Sequence, residues 1–371
     1  MTKPARLTLL VCATLFPACR SSPLTESTSA ACQSAHDATF LASVPGNVDA
    51  LLSDGTNLYW LDKFAGTISV APTAGGAVTT LATFPQLWSG PCGQPGFSVD
   101  CLQASLAADD DNLYAAGPLG VYRVPKAGGT PSAIATYGGE SAYAFGPLVV
   151  AGGSLFWQEG DIVSLGDEGL TLEVRIVQQP QAASPSVAPQ PFASAGADIP
   201  STALLASDGT RLYWLDGGLR AAPLAGGAAT TVYTSDTLFV ENMTLAGARL
   251  VWTNQQMEGG PIGDAPLPAQ SPHELVQSVA TSGGAATSLI TFPSDTDPGV
   301  TVLGDARYAY AVVVDYYAGT SEILAAKLDD GATKTIVKDA NLASATLDAC
   351  NLYYVTEGQS AQMIMKIGKP N

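Results

Sequence analysis

Two stretches of this chain, ALLSDGTNLYWLD at residues 50–62 and ALLASDGTRLYWLD at 203–216, are near copies of each other. The same shape recurs as SLAADDDNLYAAG (105–117), LVVAGGSLFWQEG (148–160), MTLAGARLVWTNQ (243–255), TVLGDARYAYAVVV (301–314) and ATLDACNLYYVTEG (345–358). The anchor of each unit is Leu58, Leu113, Leu155, Leu212, Leu250, Ala309 and Leu352. Anchors 38–59 residues apart fit a four-stranded propeller blade, with insertions in the longer intervals.

Each unit continues alike. A second apolar run follows the anchor, then a tight turn, then a Thr- and Val-rich strand, as in GTISVAPTAGGAVTTLATF (66–84). The Gly-Gly pairs at 75–76, 128–129, 226–227 and 283–284 read as hairpin turns, with Asp330-Gly331 and Glu168-Gly169 in that place in two other units. The anchor strands are apolar on both faces, so each must lie in a sheet packed between two others. An all-β, seven-bladed propeller of four-stranded antiparallel blades meets that need, with six or eight blades as the alternatives. The last unit lacks its fourth strand, and Ala38–Ala42 belongs to no unit. We expect that N-terminal segment to close the ring, which removes exposed sheet edges.

Among 371 residues, 33 are acidic and 16 basic, a net charge of −17, which argues against nucleic acid as a partner. Lys3 and Arg6 precede an apolar run, Leu7–Phe16, which is too short to span a bilayer and reads as an export signal over residues 1–18. The sequence Phe16-Pro17-Ala18-Cys19 resembles a bacterial lipoprotein signal, in which lipidated Cys19 becomes the new N-terminus. Residues 19–37 read as a flexible tether and 38–371 as the propeller domain. The expected location is the bacterial outer membrane or cell surface, otherwise the periplasm or the medium. Contact with the membrane would run only through the lipid, and the protein would be a monomer.

Four cysteines remain after Cys12 and Cys19, and four allow three pairings. Cys92 and Cys101 flank a Gly/Pro loop, which suits a local bridge and leaves Cys32 to pair with Cys350 across the ring seam.

The Leu-Tyr-Trp-Leu-Asp strings at 58–62 and 212–216, each followed by a hairpin, resemble the YWTD-type propeller repeat. They are also similar to propellers of secreted bacterial lipoproteins. The resemblance implies a binding platform. YWTD propellers have six blades, whereas seven anchors occur here.

Asp54, Asp109, Asp208, Asp305 and Asp348 each precede an anchor by four residues. That equivalence spreads them around a ring, so we read them as turn residues. A Ca²⁺ site at Asp109–Asn112 is a weak alternative to having no cofactor. His36 and His273 lie outside the repeats, and no metal-ligand set or catalytic residue is proposed. The anchor aromatics read as core.

Function is legible only as an asymmetry. The insertions at 85–103, 178–202 and 254–275 all read as connections that open on one face of a propeller. Candidate ligand-binding residues there are Asp62, Lys63, Trp88, Glu159, Asn254, Asp315, Tyr316 and Glu357. We expect a non-enzymatic scaffold for a protein or glycan. The alternative is a secreted hydrolase or lyase using carboxylates at the channel mouth.

Overall fold

The computed structural model describes residues 37–44, 46–84, 104–137, 142–166, 169–194, 204–235, 238, 240–255, 274–292, 298–315, 319–339, 341–358 and 361–370. They form seven four-stranded antiparallel sheets, with no helix among the described residues. After the lone strand β1 (Thr39–Val44), the first blade is β2 (Ala50–Ser53), β3 (Asn57–Asp62), β4 (Thr67–Pro72) and β5 (Thr79–Thr83). The second is β6 (Ser105–Ala108), β7 (Asn112–Gly117), β8 (Gly120–Pro125) and β9 (Ser132–Thr136). The third is β10 (Ala142–Ala151), β11 (Ser154–Gly166), β12 (Gly169–Pro180) and β13 (Gln190–Ser194). The fourth is β14 (Leu205–Ser207), β15 (Arg211–Leu215), β16 (Leu219–Pro223) and β17 (Thr230–Tyr233). The fifth is β18 (Val240–Ala246), β19 (Arg249–Gln255), β20 (Glu274–Ala280) and β21 (Thr287–Thr291). The sixth is β22 (Pro298–Gly304), β23 (Tyr308–Asp315), β24 (Thr320–Lys327) and β25 (Thr333–Asp339).

The seventh blade is β26 (Leu342–Leu347), β27 (Asn351–Glu357) and β28 (Gln362–Gly368), completed on its outside by β1. Thr39 pairs with Lys366 and Val44 with Gln362. The ring is therefore sealed by the N-terminal strand, as the sequence led us to expect. First strands of successive blades touch around the centre, from β26 through β2, β6, β10, β14 and β18 to β22, and β23 meets β26.

Every second strand is buried on both faces, because each blade is sandwiched. Leu58, Tyr59, Trp60 and Leu61 are all within 2% of full burial. Side chains of alternating parity pack on opposite neighbours. Leu58 and Trp60 face the seventh blade, whereas Tyr59 and Leu61 face the second. In all seven blades the register slips between the third and fourth strands, at Ile68/Ser69 in the first and Phe40/Ala42 in the last. A bulge there raises the local twist, which lets each outer strand splay from its neighbour.

The turns sort onto two faces. The upper face carries the second-to-third-strand turns and the blade-to-blade connections. The lower face carries the other two turns of each blade. Two sequence expectations change here. Segment 178–202 is not one insertion on the upper face. It holds the end of β12, a lower-face connection at 181–189, and β13. Pro191 disguises that strand, but an outermost strand tolerates proline because one of its edges faces solvent. Gly169 likewise opens the third strand, β12, so the Glu168-Gly169 pair does not join the third strand to the fourth.

Candidate functional site

The repeated aspartates are built first, from the lower-face turns. Asp54 Oδ1 accepts the backbone N–H of Thr56 (3.0 Å) and of Asn57 (2.8 Å), and Oδ2 accepts the Tyr59 hydroxyl (3.0 Å). The same trio recurs at Asp109 with Tyr114, Asp208 with Tyr213, Asp305 with Tyr310 and Asp348 with Tyr353. Blades three and five place Ala151 and Ala246 at the aspartate position, and there the tyrosine becomes Phe156 and Val251. Acceptor and hydroxyl are lost together, as expected where a buried hydroxyl without an acceptor is destabilising. Burial alone would raise Asp208, but hydrogen bonds from Tyr213, Thr210 and Arg211 hold it down to about 2. Asp54, Asp109 and Asp305 are lowered in the same way, burial opposing and hydrogen bonds prevailing. Tyr59 is pushed up to about 12, by burial and then by the Asp54 charge. Lys126 from the second blade reaches Asp54 of the first at 2.9 Å, and Lys369 reaches Asp305 at 2.8 Å. These acids therefore fasten turns and neighbouring blades. Among the described residues, no group of three or more His, Cys, Asp or Glu side chains could hold a metal ion.

The upper-face candidates sit at or just past the upper part of second strands, spread over blades one, three, five, six and seven. Trp88 and Tyr316 lie outside the described residues. Asp62 is already engaged: Oδ1 accepts from Phe64 (3.0 Å) and Ala65 (2.8 Å), and Oδ2 from Asn47 (3.1 Å). Lys63 pairs with Asp49 at 3.1 Å, leaving the Phe64 ring exposed at the tip of the turn. Glu159 is buried, ion-paired with Arg175 and hydrogen-bonded by the Tyr137 hydroxyl at 3.0 Å. Trp157 Nε1 donates in turn to Tyr137 (2.8 Å), so this network ties blade two to blade three. Burial, then the Glu159 charge, pushes the Tyr137 hydroxyl well above the usual phenol range. Asn254 is buried, Asp315 half-buried and Glu357 exposed.

The list read from sequence omitted two residues that the structure sets apart. Asp216 is the fourth-blade counterpart of Asp62, yet no hydrogen bond or ion pair joins its half-buried carboxylate to another described residue. Gln158 is buried at 2% exposure with Nε2 unpartnered. Comparing equivalent positions of the seven units would have exposed the glutamine, since five of them carry Leu61, Ala116, Leu215, Val312 and Val355.

Cys350 lies in the turn between β26 and β27 and is disulfide-bonded. The other five cysteines lie outside the described residues.

No protein-family description and no curated protein sequence matches this chain. Solved structures do. An oligogalacturonate lyase in complex with manganese is 11% identical, over 92% of this chain and 95% of that one, with a TM-score of 0.58. An oligogalacturonate lyase from Vibrio parahaemolyticus is 9% identical, over 91% and 92%, with a TM-score of 0.56. The computationally designed Ika8 protein is 10% identical, over 88% and 98%, with a TM-score of 0.52. At such identities the likeness shows the fold alone. The strand topology shows the chain to be a seven-bladed β-propeller.

Proposed function

We propose that this propeller is exported, anchored through lipidated Cys19, and serves as a binding platform that performs no chemistry on its partner. One observation carries the reading: the upper face is elaborated. β11 and β12 outrun their sheet there. β10 pairs with β11 only as far as Asp161, and beyond it Ile162–Gly166 pairs with Gly169–Leu172 as a two-stranded arm. The long segments 85–103 and 256–273 connect strand ends on the same face. Long elaborations gathered on one side of a rigid scaffold suit recognition. The lyase alternative needs two free carboxylates facing each other. Asp62 and Glu159 are instead bonded within the chain, in different blades.

The test replaces residues 162–172 by a two-glycine turn and compares cross-linked partners in intact cells. The platform reading expects the shortened protein to fold and to lose its cross-links. Unchanged cross-links would overturn it. In the same cells, Cys19→Ala should move the protein from the membrane to the soluble fraction.

A further inference from the structure

We propose a saccharide-binding slot between blades three and four, floored by Asp216 and Gln158; it deepens the platform reading and rests on it. The layers of this interface are set by strand parity. Phe156 and Trp214 pack together with Leu212 and Ile176 between the two blades. Gln158 follows Phe156 by two residues and Asp216 follows Trp214 by two, so both occupy the next layer toward the upper face. At Gln158's position other blades place Leu61, Leu215 or Val355, and those side chains complete an apolar contact. Here the layer holds an amide with an unpartnered, buried Nε2 and, across from it, a carboxylate bonded to no other described residue. The Trp214 indole N–H, one layer below, is also buried without a partner.

Buried polar atoms are ordinarily satisfied, so the open Gln158 donor marks a vacancy, and the half-buried Asp216 carboxylate supplies an acceptor beside it. Thr253 offers the contrast. It is the other polar residue at this position, and its buried hydroxyl is also unpartnered, but across from it stands apolar Val313, so that layer lacks a facing carboxylate. The slot's mouth carries no side chain. Past Asp216 its turn is Gly217-Gly218, and a Cβ at Gly218 would come within 2.8 Å of the Tyr233 carbonyl oxygen. The third-blade arm rises on one side of this low turn.

A hydroxyl fits such a pair, since it accepts from the amide and donates to the carboxylate. Vicinal hydroxyls of a neutral sugar repeat that chemistry. A uronate would meet the Asp216 charge and a chain of net charge −17, so acidic oligosaccharides are excluded.

The test is calorimetric titration of the full mature chain with maltohexaose, cellohexaose, chitohexaose and an oligogalacturonate. At least one neutral oligosaccharide should bind, and the oligogalacturonate should not. Gln158→Leu and Asp216→Ala should each weaken binding at least tenfold, while Asp216→Asn, which keeps an acceptor, should retain most of it. Gln158→Leu installs the residue that the first and fourth blades already use, so its melting temperature should hold or rise, separating lost binding from lost folding. Absence of binding by all three neutral sugars, or binding indifferent to both variants, would overturn the slot. If cross-links still depend on the arm in that event, the platform reading survives without it.

Discussion

At the scale of single residues, the aspartate–tyrosine pair is the unit of repetition that physics enforces most visibly. Asp208 takes two backbone N–H groups and the Tyr213 hydroxyl. Asp208→Ala should cost about 1–3 kcal/mol in chemical denaturation, because it strands a buried hydroxyl. Tyr213→Phe should cost less, and the double variant less than the sum, since blades three and five tolerate both losses at once. The pairs also set pH limits. Carboxylates held below 3.8 stabilise the fold fully above that value, and the gain is lost as pH falls, for Asp208 through about 2. Tyr59, raised from 10.0 to about 12, contributes fully below 10.0 and loses its share as pH climbs between those values. Melting temperature followed against pH should therefore decline at both extremes. These pairs were legible in the sequence, because a motif repeated in five turns is visible without coordinates. The vacancy at Gln158 and Asp216 was not, because it depends on which residue of one blade lies opposite which residue of the next.

Among elements, the second strands were the legible part, since burial on both faces leaves an uninterrupted apolar string. Outer strands were harder to read. β13 is half solvent-facing and carries Pro191, so its composition looks like loop. The third-blade arm was hidden for a related reason. Its strands pair only with each other beyond Asp161, so no neighbouring blade imposes the repeat's pattern on them. Blade packing is tightest where the first strands of blades five and six approach. A Cβ on Gly304 would stand 2.5 Å from the Leu245 carbonyl oxygen and 2.6 Å from the Ala246 Cβ. Gly304→Ala should therefore push those strands apart and destabilise by about 1–3 kcal/mol, measured by urea unfolding. A Gly55→Ala control meets no atom within 4 Å and carries only the strain of its φ of +86°.

For the whole molecule, the seam decides integrity. The seventh blade grips both neighbours: Lys366 Nζ reaches the Thr73 carbonyl at 3.2 Å, Gln362 accepts the Val48 N–H at 2.7 Å, and Lys369 pairs with Asp305. Cys350 sits at the end of this blade where β1 begins, since Thr39 is opposite Lys366 and Lys366 opposite Tyr353. Cys32 precedes β1 by a few residues in sequence, whereas β6, which follows Cys101 in sequence, begins on the upper face. We therefore expect non-reduced peptide mapping to recover a Cys32–Cys350 peptide. A Cys92–Cys350 or Cys101–Cys350 peptide in its place would refute that pairing.

Closure by β1 also has a consequence in time. The Thr39 hydroxyl bonds to the Lys366 carbonyl across 327 positions of chain. A ribosome makes the first partner long before the second. Six blades can assemble from contiguous chain, but the final sheet has to wait for β28, with β1 held unpaired until then. Contacts so distant in sequence form slowly, which makes this waiting strand the point of greatest exposure to proteases and to misassembly during biogenesis.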